Sequence, residues 1–490
     1  MAKHILSKST YIKGLQCTKA LFLNKHHPEW RDKISMEQRA LFNRGHKVGE
    51  LAQQLFPKGK EIVVKKYDYA AAEQQTQLAI AAGITTLYEA TFKYNGTLVM
   101  IDILNYDNGK WYAYEVKSSL KITPTYINDA ALQFYIIKNC LPELHDIFLV
   151  TMNPAYVMDK KVDLHSLFKK QSVKMEALEK WDTIAQNITT LTAVVNSTAI
   201  PTVDIGTHCY APYTCDFKGT CWKHLPTDSI FEISEMSLAN KVEYYNRGKL
   251  HMRDLANEPT LTPNQKIQIE ATTENKLHVN TTEIKRFIST FNYPLAFIDF
   301  EVTMPAVPLF TGHKAYQQLP FLYSMHHKQS NKAELLHTAY IAPTGADPTL
   351  AFVQHLILHT TPFNTLVVYD TGLEHNVLNW CKTAFPQYAT QIMDIKNKMV
   401  DMKTIFDNRW YYHKKMQGSL KLKNLAEVLL MPNPYTLCNI QTGAEALSMY
   451  EDLQTENDMF KIVEMQETLV SYCTADSLAV AMLYDKLISL

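Results

Sequence analysis

The chain reads as a mixed α/β protein made of two mixed-sheet domains joined by a helical connector. Three observations predict this. Apolar residues alternate with period two over 85–119 and again in short runs after 290. Helical spacing separates those runs. A length of 490 residues exceeds what one core accommodates.

Taken in order, residues 6–24 place Leu15, Ala20 and Leu23 at helical spacing behind the caps Ser7 and Ser9, with Cys17 on the same stripe. Residues 35–56 set Phe42, Val48, Leu51 and Leu55 on one side of a second helix, and a third is expected over 70–82. Asn95-Gly96 and Asn108-Gly109 then divide an alternating region into strands 85–94, 97–107 and 110–119, because Asn-Gly adopts the left-handed angles of a two-residue hairpin turn. A helix at 127–140, a strand at 146–152 and helices over 164–195 follow, and a cysteine-rich segment closes this part near 224. Residues 228–288 are polar and helical. PLAFIDFEV, LPFLYSMHH and LLHTAYIA read as strands, 347–359 as helix, TLVVYD as a buried strand and the stretch from 373 as helix. The last thirty residues form one long helix. The expected domains are 1–227, 228–288 and 289–490.

Charge bounds the partners. Lys plus Arg number 49 and Asp plus Glu number 49, which excludes attraction to polyanions by bulk charge and leaves a local basic groove open. Residues 1–230 hold 27 basic and 22 acidic side chains, so this part is the better one for gripping phosphates. With 46% hydrophobic and 20% charged residues the composition is globular rather than disordered. No apolar run reaches the ~18–20 residues of a membrane span. The opening MAKHILSKSTYIKG lacks a secretory apolar region. A cytoplasmic protein without a membrane partner is expected.

The two hairpin turns fix a register. Glu89 falls opposite Asp102, Asp102 opposite Glu115, and Lys117 on the same face two residues on. Opposed carboxylates destabilise a sheet unless something neutralises them. A hard divalent cation, Mg²⁺ or Mn²⁺, does so through oxygen ligands, and Lys117 then serves the reaction at a phosphate. Among the eight cysteines, Cys209, Cys215 and Cys221 sit within thirteen residues. In a reducing compartment such a cluster points to metal before disulfide. His208 and His224 flank it, so Zn²⁺ on three thiolates and an imidazole is one option. In the last part, Asp299 and Glu301 share a strand face, and Tyr472 and Asp476 stand side by side on the final helix.

Asp102 followed by Glu115-Val116-Lys117 resembles the PD-(D/E)XK nuclease motif. The Ser7–Cys17 segment and the cysteine triplet are similar to the RecB-like nucleases that carry an iron–sulfur cluster, the CRISPR-associated exonucleases among them; the likeness spans about 1–225. It implies a restriction-endonuclease-like fold, Mg²⁺ or Mn²⁺ on Asp102 and Glu115, a catalytic Lys117, and a [4Fe–4S] cluster on Cys17, Cys209, Cys215 and Cys221. The triplet is spaced more widely than in many members. Gln133 and Tyr135 fall where such nucleases carry a nucleic-acid-binding Gln motif, although Ile137 replaces its Tyr. His46, with Glu50 as a substitute, stands near the position of a further metal ligand. Asp-x-Glu at 299–301 with Tyr-x-x-x-Asp at 472–476 resembles the tyrosine subtype of DEDD exonucleases, of ribonuclease-H-like fold, over 290–490. This implies metal on Asp299, Glu301 and Asp476, a water-orienting Tyr472, and an intervening ligand from Asp370, Glu374 or Asp401. Gly418–Lys423, Lys421 above all, offers a phosphate-facing segment. The pairing of both parts resembles an uncharacterised bacterial family of unknown function. The implied activity is hydrolysis of DNA, single strands first; the alternative is a non-catalytic nucleic-acid adaptor with structural metal centres.

Overall fold

The computed structural model describes residues 6–65 and 67–490. The chain divides into two compact α/β units: Met1–His224 with Ala306–Tyr316, and Leu225–Pro305 with Gln317–Leu490. Residues 228–288, expected as a separate connector, belong to the second unit.

Unit 1 is built on a seven-stranded mixed sheet. Its strands are β1 (Leu6–Ser7), β2 (Lys60–Glu61), β3 (Thr86–Tyr94), β4 (Thr97–Asp107), β5 (Lys110–Lys117), β6 (Leu144–Met152) and β7 (Phe168–Ser172). The order is β2-β3-β4-β5-β6-β7, with β1 parallel to β4. Both Asn-Gly turns take left-handed angles, with φ of 44° and 73° at Asn95-Gly96 and 50° and 80° at Asn108-Gly109. They set the expected register: Tyr94 opposes Thr97, and Asp107 opposes Lys110. Helix Pro124–Cys140 crosses from β5 to its parallel neighbour β6 and buries Ala130, Phe134 and Ile137 against the sheet.

Three local expectations are corrected. The helix over 6–24 is two helices, Lys8–Gln16 and Thr18–His26, broken at Cys17, which is extended at φ −161° and caps the second one. Residues 164–195 are not helical throughout. They include β7, whose exposed Lys169-Lys170-Gln171 make a charged sheet edge that resists further pairing. Phe42 is exposed, and Val48 and Ala52, four apart, form the buried side of helix Met36–Gln53.

Unit 2 begins with short helices packed around Ile230, Met252 and Ile269 and the strand β8 (His278–Val279). Its main sheet follows, made of β9 (Leu295–Thr303), β10 (Leu319–Lys328), β11 (Leu336–Ile341), β12 (Thr365–Val368) and β13 (Met399–Asp401), in the order β11-β10-β9-β12-β13. Strand β14 (Tyr411–Tyr412) pairs with β8. β10 is antiparallel to β9 and β11, whereas β12 is parallel to β9 and β13. Both faces are covered, as an apolar central strand requires. Leu295 and Phe297 meet the core shared with the long helix Met459–Ile488, whereas Ile298 and Phe300 meet helices Thr349–Thr360 and Gly372–Ala384. Alternation along β9 therefore turns Asp299 and Glu301 toward the long helix.

Candidate functional site

In unit 1, Glu89 and Asp102 lie at a disturbed point of the sheet. Glu89 has φ of 55° in mid-strand, and the β3–β4 ladder skips its pairing with Asp102, although Tyr88–Ile103 and Ala90–Ile101 keep the register on either side. A left-handed non-glycine inside a strand is strained, and such strain collects at functional positions. The β4–β5 ladder stops at Ile103–Tyr114. Beyond it the side chain of Asp102 takes over, and its Oδ2 accepts the Val116 N–H at 2.6 Å.

Glu115 is the hub. It is 1% exposed. Its Oε1 accepts from Lys117 Nζ at 2.6 Å and from Lys8 Nζ at 2.7 Å, and its Oε2 from Gln133 Nε2 at 2.8 Å. Lys117 also reaches Asp129 Oδ2 at 2.5 Å, with Lys8 3.8 Å from the same atom. Burial would raise Glu115, but the ammonium groups of Lys117 and Lys8 outweigh it and hold the carboxyl well below its ordinary range. Asp102 lies at the other extreme. Enclosure by protein and the nearby Glu115 charge push it up to about 8. Burial also raises Glu89, with Glu115 adding to it. Burial opposes protonation of Lys117, yet Glu115 and Asp129 keep it charged well above the ordinary lysine range. The donor set is oxygen only, which fits Mg²⁺ or Mn²⁺. A cation arriving there would share Glu115 with the two ammonium groups.

Sequence reasoning missed Lys8 and Asp129. Lys8 is 107 residues from Glu115 and carries no local signal. Gln133 is fully buried, so it is corrected from a nucleic-acid contact to the residue that orients Glu115. Tyr135 is corrected likewise: it is buried, with its ring 4.7 Å from Trp181. His46 and Glu50 lie on the exposed side of their helix, opposite Val48, because residues two apart on a helix point apart; neither joins the carboxylates.

The cysteine centre draws the unit's two ends together. Cys17 sits at the helix break, Cys209 in the turn Thr207–Cys209, and Cys221 in the helix Lys218–Trp222. Cys17, Cys215 and Cys221 pack around Phe22, Leu23 and Phe217. Each of these three is raised by burial, and Cys209 adds to the rise. All four thiols are free. Gln16 Nε2 donates to the carbonyls of His208 and Tyr213, both at 2.7 Å, and Lys13 pairs with Asp216. His208 Nε2 lies 3.7 Å from Cys209 Sγ, whereas His224 Nδ1 meets the Cys221 carbonyl at 3.0 Å.

In unit 2, Asp299, Glu301 and Cys473 offer donor atoms that all lie within 4.8 Å of one another. Asp476 faces them from the same helix, and its Oδ1 accepts from the Tyr435 hydroxyl at 2.5 Å. Burial raises Asp299 and Glu301 well above the carboxylate range, and Asp476 adds to both; burial also pushes Asp476 up to about 6. Glu374 is 2% exposed, its Oε2 has no hydrogen-bond partner, and burial pushes it up to about 8. Its charge acts on Asp299 and Glu301. Asp370 is turned to solvent and paired with Lys403 at 2.7 Å. Asp401 accepts the N–H groups of Asp370, Thr371 and Lys403 and so builds their loop. Of the three intervening carboxylates, Glu374 is the one drawn to the site. Lys421 is exposed, and Lys423, two residues on, is the lysine that meets it. Lys423 Nζ donates to the Tyr472 hydroxyl at 2.8 Å and feels Asp476 and Glu301.

A family model described as "Domain of unknown function (DUF2779)" matches residues 296–421, which contain Asp299, Glu301 and Glu374. No curated protein matches the chain. No helix among the described residues is long and apolar enough to cross a membrane.

The double clamp on Glu115 yields a test. Lys8→Met removes one charged hydrogen bond to a buried carboxylate, a loss of about 1.5–3 kcal/mol. Urea denaturation without divalent ions should show that loss, and Mn²⁺ should reduce it by supplying the missing charge. A loss unchanged by Mn²⁺ contradicts cation binding at Glu115.

Proposed function

We propose that the protein is a metal-dependent nuclease that hydrolyses phosphodiester bonds in DNA, single strands above all. One observation carries the reading: on adjacent strands, Asp102 accepts the N–H of Val116, the residue after Glu115, and Lys117 reaches Glu115 Oε1 at 2.6 Å. The mixed sheet, with its crossover helix returning Gln133 to Glu115, supports a restriction-endonuclease-like fold of the RecB-like kind for unit 1. Asp102 and Glu115, with Glu89, would hold Mg²⁺ or Mn²⁺, which supplies positive charge for the phosphate and acidifies a bound water. Glu115 and Asp129 favour the charged form of Lys117. In that form it would stabilise negative charge that develops on the phosphate. Gln133 fixes the Glu115 rotamer from inside the helix.

Unit 2 is read as a DEDD-type, ribonuclease-H-like exonuclease domain. The order β11-β10-β9-β12-β13, antiparallel then parallel, supports that fold. Asp299, Glu301, Asp476 and Glu374 would hold its metal. The Tyr472 hydroxyl, fixed by Lys423, keeps its proton because burial and Asp476 raise it, and it is set to orient a water.

Cys17, Cys209, Cys215 and Cys221 are read as [4Fe–4S] ligands. Sulfurs around one zinc stand about 3.8 Å apart at Zn–S distances of about 2.3 Å. Among the described residues no three of these sulfurs fall within 4.8 Å of one another, so as placed they do not form a compact four-coordinate zinc site.

Labelled single-stranded DNA incubated with the full chain and Mn²⁺ tests the activity. The parent should cut, Asp102→Ala should lose at least a hundredfold of the internal or end cleavage assigned to unit 1, and Asp299→Ala should lose the stepwise trimming assigned to unit 2. Cleavage unchanged in both variants contradicts the catalytic assignment, and no cleavage by the parent leaves the adaptor reading. Anaerobically purified protein should be brown, with about four irons per chain, and Cys17→Ser should bleach it. A colourless protein with stoichiometric zinc overturns the cluster.

A further inference from the structure

We infer that the carboxylate centre of unit 2 is completed by a thiolate from Cys473, and that it takes a borderline-soft cation of the Zn²⁺ type in preference to Mg²⁺. The inference rests on the metal-centre reading of unit 2 and deepens it by naming a further ligand and the class of ion.

The helix sets the geometry. Cys473 and Asp476 are three residues apart on Met459–Ile488 and share a face, which lies over the Asp299–Glu301 face of β9. Cys473 is 0% exposed. Its Sγ stands 3.7 Å from Asp299 Oδ2 and 3.5 Å from the Asp299 carbonyl. A tetrahedral zinc with sulfur at about 2.3 Å and carboxylate oxygen at about 2.1 Å holds the two ligand atoms about 3.6 Å apart. The separation already matches.

A separate observation points to a missing cation. Glu374 Oε2 is buried without a hydrogen-bond partner, and Glu374 acts electrostatically on both Asp299 and Glu301. Buried acceptors without donors are costly, and a metal satisfies several at once. Thiolate is a poor ligand for Mg²⁺, which demands hard oxygens and near-octahedral geometry, whereas Zn²⁺ accepts mixed sulfur and oxygen donors. On binding, the S–H bond breaks, the proton leaves to buffer, and sulfur donates its electron pair to the metal.

Co²⁺, a spectroscopic stand-in for Zn²⁺, tests this on the reduced, anaerobic full chain. Because Cys17, Cys209, Cys215 and Cys221 also offer sulfur, the readout is a difference between variants. The parent should show a sulfur-to-cobalt charge-transfer band with a component that is lost in Cys473→Ser and Cys473→Ala and retained in Cys209→Ser. Zn²⁺ affinity relative to Mn²⁺ should fall at least about tenfold in Cys473→Ser, as for loss of a ligand or its support. Cobalt spectra identical in the parent and in either folded Cys473 variant overturn the inference. Mn²⁺ binding, read by the paramagnetic resonance of the free ion, separates the two levels. If Asp299→Asn loses one equivalent of Mn²⁺ while the cobalt spectrum ignores Cys473, the thiolate fails and the carboxylate centre stands. If Asp299→Asn loses none, the metal-centre reading itself fails.

Discussion

The enclosure of like-charged carboxylates within protein is the constraint on which both units depend. Removing a carboxylate from water costs several kcal/mol unless a partner compensates it. The units meet this differently. In unit 1 two lysines converge on Glu115, leaving Asp102 to carry the electrostatic penalty as a raised affinity for its proton. Among the described residues of unit 2 no lysine pairs with Asp299 or Glu301 directly; Lys423 reaches Tyr472 instead, and the carboxyls are all shifted toward the protonated form. A divalent ion relieves both arrangements, the first by displacing or sharing an ammonium and the second by displacing protons.

Much of the scaffold follows from elementary geometry. Asn-Gly turns leave one register open to the first three long strands, and that register holds up to the carboxylates, where both ladders break off at the Glu89–Asp102 and Asp102–Glu115 pairs. Period two along β9 puts Asp299 and Glu301 under the same helix that carries Tyr472 and Asp476, and the last helix was legible from its length and apolar stripe. These features depend on residues close in sequence or on simple alternation, which is why they can be read without a structure.

What escaped the sequence is long-range. Lys8 and Asp129 join Glu115 through tertiary packing, and nothing in LSKST or YINDA marks them. Lys423 displaced Lys421 because Lys421 is the extended residue that precedes helix Leu422–Leu429, whereas Lys423 lies within its first turn. The break at Cys17 hides inside an apolar pattern that fits a continuous helix; the extended residue there reaches toward a segment almost two hundred residues away. The resemblance implies a nucleic-acid role for Gln133 and Tyr135 from their place in a motif alone, whereas apolar neighbours bury that stretch of the helix. Glu374 outranks Asp370 and Asp401 because the loop consumes those two in its own hydrogen bonds.

The two centres thus rest on one electrostatic premise, and anomalous diffraction from crystals soaked in Mn²⁺ addresses it most directly. The account predicts one manganese peak bound by Asp102 and Glu115 and another bound by Asp299 and Glu301. Crystals showing ordered carboxylates at both places, with lysine or water in place of manganese, would contradict it.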